Sequence, residues 1–175
     1  MMTIEEIIIV IFRTLGAFPV LINPFWGALL VIIIDFSDLF LMNYLDLGGV
    51  SNYQLLDKFL DFIYMMTFLL VLFRFNTQVK KIGIILFSYR IIGMILFEIF
   101  HKRWILFLFP NFFEFWIIVI AFFRLYKNDL QITKKNVGFI IIPIMSIKLL
   151  QEYVLHVNKI LDNYTLIEVI EKITL

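Results

Sequence analysis

Apolar runs long enough to cross a bilayer follow one another along this chain, each closed by a short cluster of polar, glycine or basic residues. Asn23 and Pro24 make an N-cap and first-turn pair. Residues 25–45 then supply about 21 positions, roughly 31 Å of helix, which matches the hydrocarbon core of a bilayer. Gly48, Gly49, Ser51 and Asn52 turn the chain into a second run at 53–75. Lys80 and Lys81 precede a third run that ends near Phe100, and His101, Lys102 and Arg103 form the next turn. A fourth run covers 104–126, a polar linker 127–136 and a fifth run 137–157. The pattern predicts an all-α fold, a polytopic transmembrane helical bundle of about five spans.

The two ends differ from these runs. Thr3 with Glu6 fits a capping box that starts a helix running to about Gly16. The start is acidic, Glu5 and Glu6, where a cleaved secretory peptide would begin basic. This helix is only about 14 residues, roughly 21 Å, and it carries Arg13, so an interfacial or re-entrant position is expected. At the other end Thr165 with Glu168 caps a short amphipathic tail whose Leu166, Ile167, Val169, Ile170 and Ile173 form an apolar stripe. The expected organisation is therefore an N-terminal interfacial helix at 1–23, a transmembrane bundle at 24–157 and a tail at 158–175.

Composition agrees with this class: 62% hydrophobic residues, 18% aromatic and a mean hydropathy of +0.97 lie outside the range of soluble domains. The net charge of +1 and the scatter of Lys and Arg between apolar runs give no nucleic-acid footprint, so no nucleic-acid partner is expected. With no Cys there is no disulfide, thiolate metal site or redox thiol. The 21 Phe residues are explained as lipid-facing and interfacial aromatics. Arg74, Lys80, Lys81, Arg124, Lys127, Lys134 and Lys135 fall on one side of these spans, which makes the basic loops 74–81 and 124–135 cytoplasmic. The protein is expected in the cell membrane, with the bilayer as its first partner.

The candidate chemistry lies in charges placed inside the apolar runs. An ionised group at membrane depth costs about 3 kcal/mol on insertion scales, so it normally faces a partner, a cavity or a ligand. Counted from the outer end of each span, Asp35, Asp61, Arg90, Glu114 and Lys148 each lie about nine to eleven residues in, roughly 15 Å deep. Gln54, Asp57, Lys58, Asp61 and Tyr64 recur at steps of three and four and share one helix stripe. Asp35 with Asp38, and Lys148 with Glu152 and His156, likewise share a face. At the deeper level Asp35, Asp38, Asp61 and Glu114 meet Arg90 and Lys148, an excess of about two negative charges. Protonation, a bound cation or a water-filled vestibule would offset that excess.

Pro110, within FPNFFEF, removes a backbone donor and leaves the Leu106 carbonyl without its helical partner, so a kink is expected beside Asn111 and Glu114. The candidate polar pocket thus comprises Asp35, Asp38, Asp57, Asp61, Tyr64, Arg90, Asn111, Glu114 and Lys148. Asp57 and Lys58 also have a plainer explanation, solvation near the outer interface, and Arg90 with Glu114 or Asp61 as a pair that sets helix register. His101 and His156 lack metal-ligand spacing.

The acidic pairs Asp35/Asp38 and Asp57/Asp61 resemble those with which intramembrane prenyl and phosphoalcohol transferases hold magnesium. However, Lys58 follows Asp57 where the phosphoalcohol signature requires Gly, and Phe62 follows Asp61. No Ser nucleophile with a base, HExxH or phosphate-cradling Gly loop is present. The runs YQLLDKFLDFIY at 53–64 and YRIIGMILFEIFHKRWILFLFPNFFEF at 89–115 resemble a family of small prokaryotic multi-pass membrane proteins. The resemblance covers about the middle third of the chain. It implies a recurring membrane fold, and lends no activity, catalytic residue or cofactor.

Three functions fit these observations: binding or translocation of a cation, proton or small polar ligand; an intramembrane enzyme acting on a lipid; and an accessory subunit of a membrane complex. Whether the chain is an enzyme, which cofactor or metal it uses, and which ligand it takes are left open by the sequence. Five short helices enclose little more than one small cavity, so a homo-oligomer or a membrane-complex partner is expected.

Overall fold

The computed structural model describes residues 3–45, 53–102, 104–127 and 137–153, with side chains except at 36, 38–45, 53, 54, 127, 151 and 152. Among the described residues the fold is entirely helical. Asp38, Gln54 and Glu152 thus lie outside the described side chains, and His156 and the tail at 158–175 outside the described residues.

Helix α1, Ile4–Ala17, starts as the capping box requires: Glu6 N donates to Thr3 Oγ1 at 3.1 Å, and Thr3 N donates to Glu6 Oε2 at 3.1 Å. A single turn, α2 (Pro19–Ile22), follows, and the backbone then enters α3, Pro24–Leu45. The corner is tight. A Cβ on Gly27 would lie 2.3 Å from the backbone N of Val20, so only glycine lets α3 pass this close to α2. Helix α1 packs on α3 and α4. One face of it, Ile9, Arg13, Gly16 and Ala17, is buried. The length of α1, 14 residues, is as expected for an interfacial or re-entrant helix, and the charge of Arg13 is met inside the bundle by carboxylates of α3 and α4.

Helix α4, Tyr53–Leu72, ends before the expected Phe75, and residues 73–75 form a turn. Helix α5, Thr77–Phe100, begins ahead of Lys80 and Lys81 and includes both in its first turns, because Asn76 Oδ1 accepts from Val79 N at 3.0 Å and caps it there. His101 closes α5 in the left-handed conformation, φ 52°, its N–H donating to Phe97 O at 2.7 Å.

The expected fourth span is two helices, α6 (Trp104–Leu108) and α7 (Phe112–Lys127), separated by a complete break at 109–111. Proline explains where the break falls, and α5 explains why it persists. Tyr89 Oη donates to the Leu108 carbonyl, and Arg90 Nη1 donates to the Phe109 carbonyl at 2.9 Å. Two carbonyls at the break are thus satisfied by side chains, as buried backbone acceptors require. Phe109 also seats against Gly93, where a Cβ would come within 2.1 Å of Phe109 Cβ. Asn111 caps α7 through Glu114 N at 3.4 Å. Helix α8, Val137–Glu152, contains Pro143 and packs on α7.

The apolar core lies between α4 and α7, where Met65, Phe68, Phe113, Trp116 and Ile117 are fully buried. Large apolar side chains are also exposed over much of the outside, among them Ile85, Ile95 and Ile99 on α5 and Phe139, Ile142 and Leu150 on α8. Among the described residues, two helical stretches, Thr77–Phe100 with 24 residues and Trp104–Tyr126 with 23, are long and apolar enough to cross a membrane. Val137–Leu150 is apolar but shorter, as is Pro24–Asp35, the part of α3 before residue 36, the first without a described side chain. Helix α4 falls short in composition because Asp57, Lys58 and Asp61 interrupt it.

Candidate polar network in the bundle core

Arg13 is the hub. Its side chain is 4% exposed. Nη1 donates to Asp57 Oδ1 at 2.8 Å, Nη2 donates to Asp61 Oδ1 at 2.9 Å, and Nη2 also contacts the carboxylate of Asp35. Asp57 and Asp61 are one turn apart on α4, so both point at α1 and the guanidinium fork engages them with different nitrogens. Burial separates the three partners: Asp61 is 12% exposed, against 38% for Asp35 and 34% for Asp57. Asp61 is thus the partner whose charge water screens least.

Arg90 approaches the same carboxylate from α5, its Nη2 lying 3.6 Å from Asp61 Oδ2. That contact is looser than a hydrogen bond. Arg90 Nε is buried and has no hydrogen-bond partner among the described residues. The described cluster therefore holds three carboxylates against two guanidiniums, a formal charge of 2 − 3 = −1. The sequence-based balance left out Arg13. It also left out Asp57, whose charge cancels that of Arg13, and it counted Asp38, which lies outside the described side chains.

A second cluster begins one turn further along α4. Tyr64 Oη donates to Glu114 Oε2 at 3.2 Å. Asn111 Nδ2 donates to Tyr64 Oη at 2.9 Å and to Glu114 Oε2 at 3.2 Å. Lys148 reaches in from α8 to 3.9 Å from Glu114 Oε2 and stands 5.3 Å from the centroid of Phe115. All four are buried. The break at Pro110 is what places Asn111 at the start of α7, where it can both cap the helix and bind these two side chains.

Of the sequence-derived candidates, Asp35, Asp57, Asp61 and Arg90 meet in the first cluster, and Tyr64, Asn111, Glu114 and Lys148 in the second. Asp57 is not simply solvated, since Arg13 binds it. Arg90 pairs with Asp61 and not with Glu114, which pairs with Lys148. Sequence reasoning missed Arg13 as a member. The available signal was its register: Gly16 and Ala17 share its face, and small residues there let α1 approach closely, as Gly16 does against Ile34. Lys58, which the sequence places on the same stripe as Asp57 and Asp61, pairs with Glu98 of α5, a partner the sequence did not indicate, and lies 3.9 Å from the centroid of Phe97.

Asp35, Asp57 and Asp61 each offer one oxygen, and these oxygens lie within 4.8 Å of one another, close enough to surround a metal ion. The Arg13 guanidinium contacts all three. An ion bound there would compete with the chain's own cation for these carboxylates. The arrangement suits exchange of one positive group for another, or transfer of a proton between carboxylates. No family model matches this chain, and neither does any curated protein or solved structure.

Proposed function

We propose that this chain is a multi-pass protein of the cell membrane, inserted as a bundle of about five spans with the basic segments 74–81 and 124–135 towards the cytoplasm. In this reading its polar network binds a cation or a small polar ligand, or relays protons. The carrying observation is the Asp35–Asp57–Asp61 group closed on Arg13, negative in net charge, inside an otherwise apolar bundle. Arg13 acts as a resident cation that an incoming one replaces. Arg90, anchored on the Phe109 carbonyl and with its Nε–H unpartnered among the described residues, offers Asp61 a second counter-charge while Arg13 is displaced.

Pairing within the chain supports this reading over that of an accessory subunit. Carboxylates already engaged by Arg13, Arg90 and Lys148 do not need charges from a partner's helices. A lipid-modifying enzyme with a divalent ion at Asp35, Asp57 and Asp61 is the second reading, supported by the spacing of those oxygens. The test of the first is flux in liposomes. Wild-type protein should carry protons or a monovalent cation, and Asp61→Asn should abolish the flux while leaving insertion intact. Flux unchanged by Asp61→Asn and Glu114→Gln refutes it. Stoichiometric divalent metal in purified protein, lost in Asp61→Asn, together with turnover of extracted lipid, would favour the enzyme.

A further inference from the structure

Arg74 and Arg124 meet at one end of the bundle. Arg74 Nη1 donates to the Leu21 carbonyl at 2.5 Å, and Arg124 Nη1 donates to the Arg74 carbonyl at 3.1 Å. Arg124 also lies 5.0 Å from the centroid of Phe75. These contacts hold the two guanidiniums in place, yet their partners are neutral. Neither forms an ion pair with a carboxylate among the described residues, so most of their N–H donors and both charges remain available. The nearest described acid along the chain from Arg74 is Asp61, about 20 Å of helix away. Lys80 and Lys81, in the first turns of α5, add to the same end. The segment 128–136 that follows α7 sets Asp129 against Lys134 and Lys135, so it too is basic.

A cleft of about 350 Å³ opens beside Arg124, between the start of α3 and the end of α7. Ile22, Phe25, Ala121 and Leu125 give it apolar walls, and Arg124 and Asn23 stand among them as polar groups. A free inorganic anion would use the guanidiniums and gain nothing from those walls. A soluble peptide would leave the surrounding exposed Ile22, Trp26 and Tyr126 uncovered. An amphiphile with one negative head and an apolar chain uses both features.

We propose that this cleft is a binding site for an anionic phospholipid, its phosphate held by Arg124 in the cleft wall with the neighbouring Arg74 adding positive charge, and its acyl chain lying against Ile22, Phe25 and Leu125. The proposal rests on the reading of the chain as a membrane protein. Charge complementarity selects the head group: a zwitterionic lipid would leave two guanidiniums without a net counter-charge.

The test uses full-length protein in nanodiscs of phosphatidylcholine with or without phosphatidylglycerol, released into native mass spectrometry. Wild type should retain phosphatidylglycerol at least about tenfold over phosphatidylcholine, in keeping with the charge difference. Arg124→Gln should remove that preference, and Arg124→Lys should restore most of it. Leu125→Glu, at an exposed position, should also remove it, by placing an acid in the cleft. Circular dichroism melts identify any variant that has lost its fold, and the Lys rescue then decides. Equal retention of the two lipids, or displacement of phosphatidylglycerol by inorganic phosphate alone, overturns the proposal. Protein that never enters the nanodisc overturns the membrane reading itself, whereas protein that enters and shows no preference overturns only the lipid site.

Discussion

Replacing Arg13 with Ala is the sharpest perturbation of the bundle. It removes a guanidinium that is 4% exposed and contacts three carboxylates. The gross attraction to Asp61 at 2.9 Å is about 6 kcal/mol at an effective dielectric of 20, and desolvation cancels part of it. Asp35 and Asp57, each about a third exposed, remain partly solvated and contribute less. The main cost is Asp61 left buried with only Arg90 at 3.6 Å, and breaking a buried pair in this way costs about 3–5 kcal/mol. Arg13→Lys keeps the charge but cannot place two nitrogens on Asp57 and Asp61 as the planar fork does, so about 1–3 kcal/mol should be lost. Arg13→Met combined with Asp61→Asn removes both members of the pair and should recover at least half of the Ala deficit. Equilibrium unfolding in mixed micelles, followed by helical circular dichroism, reads all three. If Arg13→Ala unfolds within about 1 kcal/mol of wild type, or the double variant is no better than the single, then Arg13 does not hold the bundle through Asp61.

Other positions give independent checks by the same unfolding measurement. Tyr64→Phe deletes the donor to Glu114 and the acceptor for Asn111 and should cost about 1–3 kcal/mol, while Asn111→Ala should cost at least as much because the α7 cap is lost as well. Thr3→Ala breaks the capping box of α1 and should cost about 1 kcal/mol without changing flux. Gly27→Ala should cost about 3 kcal/mol or prevent folding, because its Cβ meets backbone of Val20 and Pro19 that cannot turn away. Gly138→Ala, in a helix with nothing within 4 Å of the new Cβ, should instead stabilise by about 0.5–1 kcal/mol.

Helix positions were legible wherever local chemistry decides them. Thr3 and Glu6, Asn23 with Pro24, the turn at His101 and the interruption at Pro110 all signal through residues a few positions apart, and the helices begin and end close to those signals. Thr77 was missed as the start of α5 because Lys80 and Lys81 read as a loop, although Asn76 caps the helix ahead of them. Charge pairing was less legible. Depth along each helix and spacing on each face put Asp35, Asp61, Arg90, Glu114 and Lys148 in one pocket, whereas the packing divides them between two clusters, because neither depth nor face says which helix stands beside which.

The sequence by itself determined that the described chain is helical, where most of its helices start and stop, and which ionisable groups lie within apolar stretches. Those properties depend on propensity, capping and periodicity, which act over one or two turns. The tertiary structure alone decided that Arg13 sits at the centre of three carboxylates, and that α5 side chains satisfy the Leu108 and Phe109 carbonyls at the break. It also placed Arg74 next to Arg124, which lines an apolar cleft. Each of these joins residues 19 to 53 positions apart, and at such separations the neighbour is chosen by how the helices pack.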